Sequence, residues 1–304
     1  MQRILVWLIL CLIWGSTWIF IKVGLRDLPP IAFASSRFIL SAVVVLAIIG
    51  TQKIPLPKTG SEWRLLALTG FLQFGLNYSS VFWSEQYITS GLAAVLQATI
   101  TVFGLLLAWI FLPHERITAQ KIIAVVVGIL GVAVIFVDQL RVENWMAFLG
   151  CVGIVLGSYC AAQSSILVKA RGSGMHPATL LFGQMVCALP FIIGYSLIVE
   201  GDPINFHWSI VSLLCIIYLG VVGTIAAFWL YYWLLSRIES TKAMMISLVT
   251  PLLAVLIGAV TVGETMPPQT LFGGLLIIGS IALIVFRRRA NSQIEPDVAI
   301  HSSI

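Results

Sequence analysis

The segment that decides the fold is QATITVFGLLLAWIFLPHERITAQKIIAVVVGILGVAVI, residues 97–135, because residues 246–284 repeat its plan. At one constant offset between the two segments, Glu115 aligns with Glu264. Each copy contains a long apolar stretch, a short connection that carries the glutamate, and a second apolar stretch that contains glycine. Such self-similarity indicates that the chain is built from two equivalent halves.

The composition places both halves in a membrane. Of the 304 residues 60% are apolar and 10% are charged, whereas about 25% are charged in an ordinary soluble domain. A helix needs about 20 apolar residues to span a bilayer. Ten runs approach that length, near residues 4–24, 31–50, 64–85, 89–111, 119–137, 145–168, 177–199, 209–235, 240–262 and 268–286. The sequence therefore predicts a polytopic helical membrane protein.

Ten spans divide into two groups of five, and this number fixes the relative orientation of the halves. Because five is odd, the second group crosses the bilayer in the opposite direction. Inverted repeats of this kind are the architecture of many secondary transporters. We predict an all-α membrane protein with ten transmembrane helices in two inverted five-helix repeats, residues 4–137 and 145–286, followed by a cytoplasmic tail, residues 287–304.

The lysine and arginine residues are distributed unevenly between the connections. With the N-terminus inside, thirteen of them fall on the inner side and only Arg26 and Arg141 on the outer side. This asymmetry follows the positive-inside rule. It predicts a multi-pass protein of the inner (plasma) membrane with both termini in the cytoplasm, and it explains the net charge of +5 without a nucleic-acid partner.

Two cations, Lys22 and Arg37, fall within spans. A charged side chain at the helix centre costs about 2.5–3.5 kcal/mol on insertion scales and seldom faces lipid. For Arg37 three interpretations remain: snorkelling to the outer surface, a structural bond to helix-end carbonyls or to Glu85 or Asp27, and attraction of an anionic substrate group. For Lys22, which is nearer the outer boundary, snorkelling and a role at the mouth of a pathway both remain.

Uncharged polar side chains recur at helical spacing and indicate a polar centre. Asn77 lies near mid-depth on a polar face of the third span, and polar pairs four residues apart occur in the fourth and sixth spans. Hydrogen bonding between helices is the alternative explanation for each of them. The cavity is predicted between spans one, three, four, six, eight and nine. The predicted substrate-binding or pathway residues are Trp14, Trp18, Lys22, Arg37, Asn77, Gln97, Thr101, Tyr159, Gln163 and Thr250.

Three segments carry a resemblance to a known family: WGSTWIFIKVGL (14–25), PPIAFASSRFILSA (29–42) and the duplicated connection with its glutamate. Over residues 4–286 the chain resembles the EamA-type members of the drug/metabolite transporter superfamily. The resemblance implies ten transmembrane helices in inverted halves, termini inside, a central substrate cavity, and transport, usually export, of amino acids, other metabolites or toxic organic compounds. The halves differ in charge, since Gln184 stands at the position that matches Arg37.

Signatures of enzymatic chemistry are absent from the sequence. It contains neither a P-loop nor the H-E-x-x-H and G-x-S-x-G motifs, and the four histidines lie outside the span interiors. We therefore expect no catalytic residues, no metal site and no cofactor. The carboxylates lie near span boundaries, so coupling through a boundary carboxylate, substrate exchange and the absence of coupling all remain open.

The predicted function is secondary transport by alternating access. We expect export of a small amphipathic metabolite, such as an amino acid or a related compound, or of a toxic organic compound, across the inner membrane. A membrane-embedded enzyme acting on a lipid-linked substrate and a non-transporting sensor are the alternatives. The expected partners are a small-molecule substrate and the lipid bilayer, without nucleic acid, and a homodimer is left open.

Overall fold

The computed structural model describes residues 2–88, 90–172, 174–262 and 268–285, and this part of the chain contains helices but no strands. The helices are α1 Gln2–Gly24, α2 Pro30–Gln52, α3 Gly60–Ser84, α4 Ser90–Gln97 with Ile100–Phe111, α5 Ala119–Ile135, α6 Trp145–Arg171, α7 Pro177–Val199, α8 Ile210–Leu235, α9 Ser240–Met244 with Ile246–Val262, and α10 Pro268–Val285. Eight are long and apolar enough to cross a bilayer, and α5 and α10 are shorter apolar helices. Glu264 and the tail 287–304 lie outside the described residues.

Local sequence signals explain where several helices begin. At the start of α3, Thr59 Oγ1 accepts a hydrogen bond from the Glu62 N–H at 3.2 Å, and the Glu62 carboxylate accepts one from the Thr59 N–H at 2.9 Å. This capping box satisfies two N–H groups that the helix leaves free. Asn144 caps α6, where its Oδ1 accepts from the Ala147 N–H at 2.9 Å. Both α2 and α7 begin with proline, whose missing N–H is not needed in the first turn.

Contacts at the two ends of the bundle fix the direction of α2 and α7. At one end, Thr179 Oγ1 near the start of α7 donates to the Pro55 carbonyl just after α2, at 2.8 Å. At the other end, the Glu200 carboxylate just after α7 accepts bonds of 2.7 Å from the N–H groups of Ile31 and Ala32 in the first turn of α2. These equivalent helices of the two halves are therefore antiparallel, as an inverted repeat requires.

The packing pattern repeats when the two halves are exchanged. Helix α1 packs on α9 as α6 packs on α4, while α2 packs on α7 and α5 packs on α10. The α5–α10 contact is close, because a Cβ added to Gly273 would lie 2.5 Å from the Gly131 carbonyl oxygen. Small residues permit such an approach of two backbones. The prediction of ten helices in two inverted five-helix repeats is confirmed.

A π-helical segment interrupts the equivalent helix of each half, Phe71–Asn77 in α3 and Val221–Ala226 in α8. A glycine precedes each segment at a tight contact between helices. A Cβ on Gly70 would lie 2.7 Å from the Cα of Gln184, and one on Gly220 would lie 3.3 Å from the Arg37 carbonyl oxygen. Segments of π-helix often mark functional sites. Both segments lie beside a cavity between the two halves, and they therefore indicate that a functional site lies there.

The outside of the bundle is covered by large apolar side chains. Trp109 on α4 is 61% exposed and Leu275 on α10 is 67% exposed. A surface of this kind is suited to lipid tails, since the helices keep their backbone hydrogen bonds internal, whereas soluble proteins rarely expose large apolar patches. The protein is therefore a multi-pass membrane protein.

Candidate functional site

A cavity of about 180 Å³ lies between the two halves. Its wall comes from α1, α3, α4, α6, α8 and α9, the six spans named in the sequence analysis, and from α2, which adds Arg37. At one end the wall includes Ile21 and Glu85, and at the other end Ala243 and Met244 form what we call the floor. The cavity therefore extends along the bundle at the interface between the repeats.

The structure brings six of the ten predicted site residues together around this cavity. These are Trp14, Trp18, Arg37, Asn77, Gln97 and Thr250. The other four, Lys22, Thr101, Tyr159 and Gln163, do not line it. Lys22 is exposed on the surface of α1. Thr101 is fully buried, and its hydroxyl donates to the Ala98 carbonyl at 2.7 Å.

Helix α6 turns a different face to the cavity from the one predicted. Tyr159 is 42% exposed and packs edge-on against Phe103, with the ring centroids 5.6 Å apart. Ala161 and Ser165 line the cavity instead. Two residues along an α-helix rotate the side-chain direction by about 200°, so the face of Tyr159 and Gln163 is nearly opposite. The polarity of Ser165 is the signal in the sequence that could have indicated the cavity-facing side of α6.

Arg37 is buried among aromatic rings at the cavity wall. It is 3% exposed, and its guanidinium carbon lies 4.7 Å from the ring centroids of both Phe38 and Tyr78 and 5.6 Å from that of Phe82. The side chain does not snorkel, and among the described residues no carboxylate forms an ion pair with it. Its Nε and Nη2 have no hydrogen-bond partner in the described part of the chain. Cation–π contacts of about 0.5–2 kcal/mol stabilise the guanidinium in this position.

Three buried oxygen atoms of cavity residues also lack a hydrogen-bond partner among the residues that the structure describes. They are Oδ1 of Asn77, Oε1 of Gln97 and Oε1 of Glu85. Because buried polar atoms in proteins are nearly always paired, several unpaired ones around one cavity indicate a binding site. The sequence placed Glu85 only at a span boundary, and its position on the cavity depends on how α3 is rotated.

An aromatic wall faces these polar atoms. The Trp14 ring lies 5.6 Å from that of Phe228 and 5.4 Å from that of Tyr231, between ring centroids. Trp14 Nε1 donates to the Gly223 carbonyl in the π segment of α8 at 3.4 Å, and the Tyr231 hydroxyl donates to Ser165 Oγ at 3.1 Å. The polar edges of the wall are thus bonded to protein, which leaves apolar ring surface for a ligand.

A buried ion pair lies one helical turn beyond the floor. Glu115 is 7% exposed, and its Oε1 lies 2.5 Å from Lys169 Nζ. The same carboxylate accepts bonds of 2.9 and 3.0 Å from the N–H of Ser240 and one of 2.5 Å from its Oγ. A carboxylate at a helix N-terminus satisfies free N–H groups and interacts favourably with the helix dipole. This Glu115–Lys169–Ser240 cluster joins the connection just after α4 to α6 and α9.

A second cavity, of about 750 Å³, opens beside the cluster between α6, α7 and α8. Lys169 contributes to both the cluster and the wall of this second cavity. Arg237, whose guanidinium carbon lies 4.2 Å from the Trp233 ring centroid, stands at the same wall. This end of the bundle, where α6 finishes and α9 begins, is called the basic end.

Comparisons with known proteins agree with this architecture. The model of the EamA-like transporter family matches residues 2–137 and 148–286. A "Probable amino-acid metabolite efflux pump" of Salmonella typhimurium is 28% identical over 93% of this chain and 95% of its own length. An "Uncharacterized transporter" of Archaeoglobus fulgidus is 29% identical over 93% of this chain and 99% of its own. One solved crystal structure shares the fold, with a TM-score of 0.80 and 15% identity over 93% of this chain and 96% of that one.

Proposed function

Because the chain belongs to the EamA-like transporter family, we propose that it is a secondary transporter that works by alternating access. We propose that it exports a small amphipathic metabolite, such as an amino acid or a related compound, or a toxic organic compound, across the inner membrane. The name of the Salmonella typhimurium relative, an amino-acid metabolite efflux pump, supports export and this substrate class. Because substrate specificity varies among proteins of one fold, the substrate class is inferred from the side chains of the site itself.

The central cavity is the observation that carries the proposal. Its wall combines the aromatic surface of Trp14, Phe228 and Tyr231 with the buried guanidinium of Arg37, whose Nε and Nη2 have no hydrogen-bond partner among the described residues. An aromatic surface favours an apolar group, and the guanidinium favours a carboxylate or another planar anion. The volume of about 180 Å³ is below the range of about 300–1,000 Å³ typical of drug-sized ligands. This combination suits a small molecule with one anionic end and one apolar end.

We propose that the basic end faces the cytoplasm and that both termini lie on that side. The asymmetric distribution of lysine and arginine between the connections supports this orientation. In that orientation, Ile21 and Glu85 mark the outer end of the cavity, and Ala243 and Met244 mark its inner floor.

Alternating access then requires the inner side to open and close. In the conformation described, the Glu115–Lys169–Ser240 cluster ties α4, α6 and α9 together beneath the floor. We propose that this cluster is the inner gate and that it is closed in this conformation. Helices α4 and α6 belong to different halves, so relative motion of the repeats would break the cluster and connect the cavity with the cytoplasm.

Counterflow in liposomes tests the proposal. Purified protein is reconstituted with unlabelled amino acids inside, and entry of each labelled amino acid is followed. We expect transient accumulation of at least one amino acid, and a loss of at least tenfold in rate for Arg37→Gln. The matched control is Arg26→Gln, which changes an exposed arginine of the α1–α2 connection. Conversion of a lipid-linked substrate without solute movement would instead support the enzyme, and a panel that is neither moved nor converted would support the sensor.

A further inference from the structure

Glu85 is a carboxylate on the central cavity to which no function has been assigned above. It is the residue directly after the span Gly60–Ser84, and it forms part of the cavity wall. Its Oε1 is buried without a hydrogen-bond partner, and the ion pairs among the described residues do not include it. A buried acid with no cation beside it is costly in its charged form. Such a group is a candidate for binding a proton or a cationic ligand.

Within the part of the chain that the structure describes, no cation pairs with the Glu85 carboxylate. The titratable or charged groups around this end of the bundle come from its own helix and from the helices that surround the cavity. They are Tyr78 and Tyr87 on or just after α3, Lys22 on α1, Arg26 and Asp27 just after α1, Arg37 on α2, Glu143 just before α6, Cys151 on α6, Tyr195 and Glu200 on or just after α7, and Tyr218 on α8. Burial raises the pKa of the Glu85 carboxyl from 4.5 to about 7. Both protonation states are therefore populated near neutral pH.

We propose that Glu85 is the site at which a proton and the cationic group of the substrate compete, so that proton entry drives export. This inference rests on the export function proposed above. Arg37 and Glu85 are opposite charges on one cavity and neither has an ionic partner among the described residues. Tyr78, beside the guanidinium, and Glu85 are separated by about 10 Å along α3, at about 1.5 Å per residue. A zwitterion can place its anionic group at Arg37 and its ammonium at Glu85.

A proton and the ammonium group of the substrate compete because each binds the ionised carboxylate of Glu85. An ionised Glu85 pairs with the ammonium of the substrate. When a proton from the outer medium binds the carboxylate, an O–H bond forms, the charge is removed and the ammonium loses its partner. When the proton later leaves toward the cytoplasm, that O–H bond breaks and the carboxylate can accept the next substrate. One proton thus moves inward for each substrate that moves outward, without any covalent change in the substrate.

The first test is the pH dependence of counterflow, measured with an amino acid that the wild-type protein moves. We expect the half-saturation concentration to rise about tenfold for each pH unit below 7, because a neutral Glu85 cannot pair with the ammonium. Glu85→Gln should show a half-saturation concentration that changes less than twofold between pH 5.5 and 8, and a proton gradient should no longer accelerate its efflux. Glu143→Gln, an exposed carboxylate of the α5–α6 connection, should follow the wild type. A Glu85→Gln protein with the wild-type pH profile would overturn the proposal.

The second test needs neither a variant nor a substrate. Dicyclohexylcarbodiimide modifies protonated carboxyl groups in apolar surroundings, and mass spectrometry identifies the modified residue. We expect half-maximal modification of Glu85 near pH 7 and none of Glu143. If no amino acid is moved while Glu85 is still modified in this way, the export function fails and the proton site remains. If counterflow occurs but Glu85 is modified independently of pH, export stands and the role of Glu85 is refuted.

Discussion

Replacing Glu115 by glutamine tests whether the Glu115–Lys169–Ser240 cluster is the inner gate. The substitution keeps the shape of the side chain and an oxygen that can accept from Ser240, but it removes the counter-ion of Lys169. The Lys169 side chain is 18% exposed and that of Glu115 is 6% exposed, so the remaining ammonium is poorly compensated by water.

The expected effect is large enough to measure. Removing one partner of a buried pair costs about 3–5 kcal/mol. The cost here is smaller, because Lys169 Nζ also donates to the Ile238 carbonyl and is partly exposed. We therefore expect the closed inner gate to lose about 2–3 kcal/mol, which corresponds to about 30- to 150-fold in the ratio of open to closed molecules.

Cysteine accessibility reports this ratio directly. Ser247 lines the cavity near its floor, and Ser247→Cys can be placed in a protein from which the five native cysteines have been removed. A membrane-impermeant maleimide is added to the cytoplasmic side of inside-out vesicles. Glu115→Gln should increase the labelling rate at least tenfold. The control is Glu62→Gln, since Glu62 is only partly buried at the start of α3 and glutamine also forms a capping box. Equal labelling of the parent and the Glu115→Gln protein would show that the cluster does not close the cavity.

Two further predictions concern stability, measured as the unfolding temperature of the purified protein in detergent. Gly70→Ala should lower the free energy of unfolding by about 1–3 kcal/mol, because its Cβ would lie 2.7 Å from the Cα of Gln184. The control Gly50→Ala has open space at its Cβ and should be neutral or slightly stabilising. Equal effects of the two substitutions would contradict the packing of α3 on α7. Glu200→Gln should lower the free energy of unfolding by about 0.5–2 kcal/mol, because the Glu200 carboxylate accepts two 2.7 Å hydrogen bonds from the first turn of α2. An unchanged unfolding temperature would show that this cap does not contribute to stability.

The helical architecture was predictable because its signals are local. Apolar runs of spanning length mark each helix, and proline and capping residues mark several starts: the second span was predicted from residue 31, and α2 begins at Pro30. Inversion of the halves followed from the odd number of spans in each repeat. None of these inferences requires knowledge of which helices touch.

The orientation of side chains around the cavity was less predictable, because it depends on how each helix is rotated in the bundle. The polar pair on α6 suggested one face, whereas Ala161 and Ser165 line the cavity. The π segment Phe71–Asn77 changes the register of α3 before the helix reaches Glu85. The local sequence contains no signal that predicts this segment. The sequence singled out Glu115 because it recurs in both repeats. Its partners Lys169 and Ser240 lie far from it along the chain, so no local spacing of residues predicts the cluster.

The equivalent positions Arg37 and Gln184 show how an inverted repeat can acquire two different halves. Gln184 is fully buried, its Nε2 donates to Thr69 Oγ1 at 2.8 Å, and its Oε1 accepts from the Tyr232 hydroxyl. Reorienting it would break bonds worth about 0.5–1.5 kcal/mol each, so it fixes the contact between α3 and α7. Arg37 is held mainly by aromatic faces and keeps N–H groups without partners. At this position one half therefore has a side chain that bonds α7 to α3, while the other half has a cation at the wall of the central cavity.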